Sequence, residues 1–307
     1  MLNISGLKLP MIGDMLVGGN VYFVDSGGQK ANDGNLGVHP TNSPLATLAG
    51  AFDKCTADNG DFIVLLPGHA ETLTAVEALD VAGVTVVGIG NGDNMPTFTI
   101  NAAIPGFNIT ADDIKVHNIR LVAGSSITAA ARLVRIVASD IEISKCRFEM
   151  GYDMYHMIVV FSGDNIKILD CEMANTVAST GDAKPQKGIL NISGTNVLVK
   201  GCRFKDIGAA KTARWRMCVA GGALNSSIVV EECNFICRGQ ATSTRSAGAS
   251  DGTAKSAATI STLYCRAISP SANTAVGTIF NMKYGYQIEC YDVAAVNKKA
   301  VISPTMI

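Results

Sequence analysis

One pattern recurs through the middle of this chain and limits the folds open to it. It reads I-K-V-H-N-I-R-L at 114–121, I-E-I-S-K-C-R-F at 141–148 and I-K-I-L-D-C-E-M at 166–173, then V-L-V-K-G-C-R-F at 197–204 and I-V-V-E-E-C-N-F at 228–235. V-T-V-V-G-I at 84–89 is an earlier, degenerate copy. In the five full copies, apolar residues two apart are followed by two residues, commonly polar, and then by Cys or Ile and by Phe, Leu or Met two residues later. Alternation of period two is a strand with one buried face. Ile114/Val116, Ile141/Ile143, Ile166/Ile168, Val197/Val199 and Ile228/Val230 are therefore expected inside, with Lys115, Glu142, Lys167 and Leu198 outside. The polar pair breaks the phase and marks a corner, so each repeat reads as strand, bend, strand and a loop of variable length.

The copies lie 27, 25, 31 and 31 residues apart. Constant strands with variable loops fit a single-stranded, right-handed parallel β-helix, an all-β solenoid whose coils bury their inward residues on one another. Leucine-rich repeats would need a Leu/Asn signature with a helix per repeat, and a propeller blade about 40 residues. Stacking also accounts for the cysteines. Cys146, Cys171, Cys202 and Cys233 occupy one position in successive coils, with Ile119 one coil earlier, and are expected as a ladder of buried, reduced thiols. Phe148, Phe204 and Phe235, with Leu121 and Met173, form a second expected column.

The rest of the chain divides around this solenoid. Residues 1–20 are expected as an extended N-terminal arm without the basic start and continuous apolar core of a signal peptide or anchor. Residues 21–60 form the N-terminal cap of the solenoid. V-Y-F-V-D at 21–25 is a strand, 26–44 is loop, and a helix over about 44–57 is capped by Asn42 or Ser43 with Pro44 at its first position. Such a helix would cover the open first rung. The parallel β-helix occupies 61–240, an Ala/Ser/Thr/Gly-rich flexible loop 241–260, and a C-terminal β segment of undecided pairing 261–307.

Composition excludes several functions. A net charge of -1 leaves no footprint for nucleic acid, and no polybasic run or long apolar stretch points to a membrane. No CxxC or HxxxH spacing occurs and His39, His69, His117 and His156 lie far apart, so neither a metal site nor a cofactor is expected.

The succession V-Y-F-V-D-S-G-G, N-D-G, P-L-A-T-L-A-G-A-F and D-F-I-V-L-L-P-G-H-A-E-T resembles the opening of the right-handed β-helix proteins of tailed bacteriophages, within the pectate-lyase-like superfamily. The resemblance covers roughly residues 20–240. It implies a structural protein located on the virion, since members include head-decoration proteins, fibres and tailspike depolymerases. Glycan-cleaving relatives carry acidic clusters on one outer face: two carboxylates for hydrolysis, or calcium-binding Asp residues with an Arg or Lys base for elimination. The candidates are Asp112, Asp113, Asp140 and Asp164, which sit beside turns where Asp is favoured anyway, then Asp170, Glu172 and Glu142, which can project from an outer face, and the pair Glu231 and Glu232.

The expectation drawn from this was a non-enzymatic capsid (head) decoration protein, with no catalytic residues. Its partner would be the major capsid protein on the outer capsid surface, bound as a homotrimer. The interface would use the apolar arm residues Leu2, Ile4, Leu7, Leu9, Met11, Ile12 and Leu16 together with Arg214, Trp215 and Arg216. The alternative was a tailspike- or fibre-like receptor-binding protein that binds or cleaves a host surface polysaccharide, with a host glycan as partner.

Overall fold

The computed structural model describes residues 2–4, 7–9, 11–12, 15–16, 18–124, 132–150, 156–175, 186–206, 215–221, 227–237, 247–250, 259–268, 280–281, 287–288 and 291–292. It is an all-β parallel solenoid, the fold class expected from the repeat. Three sheets form its walls, with ten, nine and eight strands among the described residues. We call them walls A, B and C. One coil runs from Lys115–His117 on wall A to Arg120–Ala123 on wall B, Arg132–Ile136 on wall C, and back to wall A at Glu142–Ser144. Neighbours within every wall are parallel and in register, as in Lys115↔Glu142↔Lys167 on wall A and Arg120↔Arg147↔Glu172 on wall B.

Walls A and B are the two strands of the sequence repeat. Wall C is a third strand inside what the repeat presents as its variable loop. Arg132–Ile136, His156–Val160, Gln186–Asn191 and Trp215–Gly221 all belong to it. So does Ala247–Ser250, which pairs with Trp215–Gly221 and corrects the reading of 241–260 as a loop throughout. Ala-Gly-Ala-Ser has no alternation of large apolar residues, yet its backbone can extend the edge left by the coil before. The 261–307 segment adds further rungs to all three walls, beginning with Thr259–Leu263 and Arg266–Ile268.

Every residue expected inside the cylinder is buried, including all five Ile/Val pairs. Cys146, Cys171, Cys202 and Cys233 are free and buried, and Cys265 continues their column. Each thiol donates to backbone carbonyls, Cys202 Sγ to Ile168 O and Lys200 O at 3.4 Å each. Burial holds the Cys171 thiol well above its ordinary pKa. The aromatic column runs Phe98↔Leu121↔Phe148↔Met173↔Phe204↔Phe235. Phe204 and Phe235 stack with centroids 5.0 Å apart.

Two left-handed corners punctuate a coil. Asp113, Asp140, Asn165 and Asn196 (φ 51 to 58°) lead into wall A, and Asn118, Lys145, Asp170, Gly201 and Glu232 (φ 52 to 66°) lead out of it. Asn and Asp tolerate this conformation better than other residues with side chains. At the corner where Gly201 stands, a Cβ would meet Asp170 Oδ1 at 2.2 Å.

The cap differs from expectation at its helix. Helix α1 spans Leu48–Phe52, far shorter than 44–57, and its N-cap is Thr47, whose hydroxyl accepts from Gly50 N at 3.0 Å. Asn42 and Ser43 cannot serve because the chain is still extended at Leu45. Leu45 bridges Val24, donating to Phe23 O at 2.8 Å and accepting from Asp25 N at 2.9 Å. Asp33 then takes the Ala46 and Thr47 amides at 2.8 and 2.9 Å. α1 buries Leu48, Ala51 and Phe52 on the first coil, covering its end as anticipated. In the arm, Leu2–Ile4 pairs antiparallel with Leu7–Leu9, and Met11–Ile12 with Met15–Leu16.

Candidate functional site

Strand geometry sends alternate side chains outward, so the outer face of wall A displays Lys115 and His117, then Glu142 and Ser144, then Lys167, on three consecutive coils. Beside them stand the corner residues Asp113, Asp140 and Asn165. Together Asp113, Lys115, Asp140, Ile141, Glu142, Asn165 and Lys167 line a shallow depression of about 150 Å³. Three carboxylates, two ammonium groups and one amide thus converge from three different coils.

The groups are partly committed to one another. Lys115 Nζ lies 3.2 Å from Asp113, with both side chains about half exposed. Asn165 Nδ2 donates to Asp140 Oδ1 at 3.0 Å, and Asn196 donates in turn to Asn165. Ser144 Oγ donates to Glu142 Oε1 at 3.3 Å and lies 3.0 Å from His117 Nδ1. Burial, and then the nearby Lys145 ammonium, hold His117 below the usual histidine range, which favours its neutral form. Lys167 is exposed and has no ion pair among the described residues.

The walls scatter the other acidic candidates. Asp112 and Asp164 are turn acceptors, Asp112 from Ser139 N at 2.7 Å and Asp164 from Thr195 Oγ1 at 2.8 Å. Asp170 is a corner residue. Glu172 faces out from wall B, away from Glu142 on wall A, and pairs with Lys205. There it joins a charged ladder in which Glu149, nearly buried, takes Arg120 through both guanidinium contacts at 3.0 and 2.7 Å, with Arg147 at 2.7 Å. This network ties the wall B carboxylates Glu149 and Glu172 to Arg120, Arg147 and Lys205. Glu231 and Glu232 share Lys200 at 3.3 and 3.7 Å. Among the described residues no group of three or more His, Cys, Asp or Glu is arranged to hold a metal ion.

Of the residues expected at an interface, Trp215 and Arg216 open the wall C strand Trp215–Gly221. Arg214 lies outside the described residues, as do the side chains of Trp215, Arg216, Leu2, Ile4, Leu7, Leu9, Met11, Ile12 and Leu16. Sequence reading names Lys115 and Lys167 only as outward residues, and Glu142 both as an outward residue and as one of the acidic candidates. The register of the coils is what unites them with Asp113 and Asp140.

No family model and no curated protein matches this chain. Among solved structures, a rhamnogalacturonan lyase superposes with a TM-score of 0.60 at 15% identity, covering 83% of this chain and 71% of the lyase. The chain shares the parallel β-helix fold of that lyase. Weaker likenesses are to a pectin methylesterase mutant in complex with a hexasaccharide (TM-score 0.48, 11% identity, 91% of each chain) and to ORF18 of Geobacillus virus E2 (TM-score 0.42, 10% identity, 82% of this chain and 58% of that one). The lyase likeness corrects the expectation of a chain without enzymatic activity. The β-helix that was read as a purely structural scaffold is one on which a polysaccharide-cleaving enzyme is built.

Proposed function

We propose that this chain is a tailspike- or fibre-like β-helix that engages an extended surface polysaccharide along the outer face of wall A. The observation that carries the reading is the depression where Asp113, Asp140 and Glu142 meet Lys115 and Lys167. Sugars present dense hydroxyls that both donate and accept, and a mixed row of carboxylates, ammonium groups and an amide matches them. Coils stack at about 4.8 Å, so equivalent backbone positions on adjacent coils, such as those of Asp113 and Asp140, are spaced close to the about 5–5.5 Å that glycoside cleavage through a covalent intermediate requires between its two carboxyl groups. In that chemistry one carboxylate attacks the anomeric carbon while the other group, as the protonated carboxylic acid, gives its proton to the leaving oxygen, and water then hydrolyses the glycosyl intermediate. Display on a virion surface as a homotrimer belongs to the same proposal, supported by the phage-like opening at residues 21–72, whose strand, capping helix and first buried strand all form.

The test is incubation of the full chain with a panel of bacterial capsular and lipopolysaccharide glycans, scoring binding and the release of reducing or unsaturated ends. Wild type should bind at least one glycan. The triple variant D113N/D140N/E142Q should lose any cleavage by more than a hundredfold while keeping its circular dichroism spectrum. Absence of both binding and cleavage across the panel, or cleavage unaffected in the triple variant, would overturn this site.

A further inference from the structure

The first coil contains a group that neither the fold nor the wall A site uses. Glu77 lies on the wall C strand Glu77–Leu79, in register with Phe107, and like Phe107 it points into the cylinder. Its residue is 6% exposed, and its Oε1 atom has no hydrogen-bond partner. The later inward positions of this column whose side chains the structure describes, Phe107, Val134, Ile158, Ile189 and Val219, are all apolar. Helix α1 packs directly on this strand.

The charges that reach Glu77 are all acidic. Asp53 comes from the C-terminal end of α1, Asp33 from the loop before it, Glu71 from the adjoining wall B strand, and Asp80 from just beyond Leu79. Glu71 is itself engaged, accepting from Leu48 N at 2.8 Å and from His69 Nε2 at 2.7 Å. His69 Nδ1 accepts from Ser26 N at 3.0 Å and its Nε2 faces Glu71, so both ring nitrogens are taken up by groups other than Glu77. A carboxylate cannot be held in such a place at low cost.

We infer that Glu77 is a protonation latch of the N-terminal cap, neutral while α1 is seated on the first coil and ionised when α1 lifts and water enters. Burial first, and then Glu71, Asp53, Asp33 and Asp80, push its carboxyl up to about 8 in the seated cap. Once lifted, the group returns to the ordinary glutamate range near 4.3. Lifting therefore releases one proton between those two values. The opening equilibrium rises roughly tenfold per pH unit across that window and levels off above pH 8, where Glu77 is ionised in both states. The cap is held most firmly in acid and loosens towards neutral and mildly alkaline pH.

Hydrogen exchange of the α1 amides, corrected for intrinsic rates, tests this on the full chain from pH 5 to 9. Wild type should lose protection steeply up to about pH 8 and then flatten, while coils built on residues 141–204 keep theirs. E77Q, which cannot ionise, should abolish the Glu77 part of that slope, and E77L serves as the control if the amide packs poorly. His69 stays in place in all three proteins, so the difference between them isolates Glu77. An α1 protection profile that is flat with pH in wild type, or equally steep in E77Q and E77L, would overturn the latch.

Discussion

The first coil and the middle coils of this solenoid solve the same burial problem by opposite means. From Val116 to Phe235 the interior is like stacked on like, with Ile over Ile, Cys over Cys and Phe over Phe or Met. Most residues rest on a similar one a rung away and the thiols satisfy themselves on backbone carbonyls, while the buried amide of Asn191, stacked on Val160, is satisfied locally by Gly194. The first coil has no complete rung before it, only the wall A strand Val21–Val24. Its interior holds Asp61, His69 and Glu77, all buried, and a web of side-chain bonds to the cap replaces the missing rung. Asp61 alone accepts from Asn20 N at 2.7 Å, Thr56 N at 2.8 Å and Asn59 Nδ2 at 2.6 Å. Repetition stabilises the middle, and specific hydrogen bonding stabilises the end. The first is tolerant of pH, and the second is sensitive to it.

That contrast can be broken most severely in the aromatic column. Phe204 is fully buried between Met173 and Phe235, so Phe204→Ala should destabilise by about 3–5 kcal/mol in chemical denaturation, in line with other large-to-small core changes. A loss below about 1 kcal/mol would mean that the coil collapses onto the gap and that stacking contributes little. Cys202→Ser probes the neighbouring column more gently. The shorter hydroxyl must reach carbonyls that the thiol contacts at 3.4 Å, so a cost of about 1–3 kcal/mol is expected. Native protein should resist thiol reagents at this position, and ready labelling would contradict the burial of the ladder. At the cap, Thr47→Ala removes the hydroxyl that accepts from Gly50 N and donates to Asp33, and should cost about 1 kcal/mol. Exchange should then rise at α1 and not in the middle coils. A uniform rise would show that cap and coils unfold as one unit, and would erase the distinction drawn above.

Much of this architecture was legible in residue order alone. Cysteines at 146, 171, 202 and 233 and the Ile/Val pairs before them recur because one wall position sees one environment, and recurrence survives variable spacing. Wall C escaped notice because its strands carry no shared register mark: R-L-V-R-I, H-M-I-V-V and A-G-A-S have nothing in common but their place on the edge of the coil before. The helix boundary was misread at Pro44 for a related reason. Pro44 is a sound first helical residue locally, but the bridge from Leu45 to Val24 is a contact across some twenty residues that local pattern does not contain.

Sequence by itself determined that the chain is a solenoid, which residues face its interior, and that its cysteines form a buried ladder, because period and alternation encode what a residue's neighbours one rung away must be. Only the tertiary structure decided what meets on the outside. Asp113, Asp140, Glu142, Lys115 and Lys167 come from three coils and become one surface only once the register is set. The same folding separates Glu172 from Glu142 on different walls, and turns Glu77, an ordinary polar letter in the sequence, into a carboxyl held inside the first coil. Outward residues are free of the packing constraint that makes inward ones repeat, so their chemistry is written in the assembled surface and not in the period.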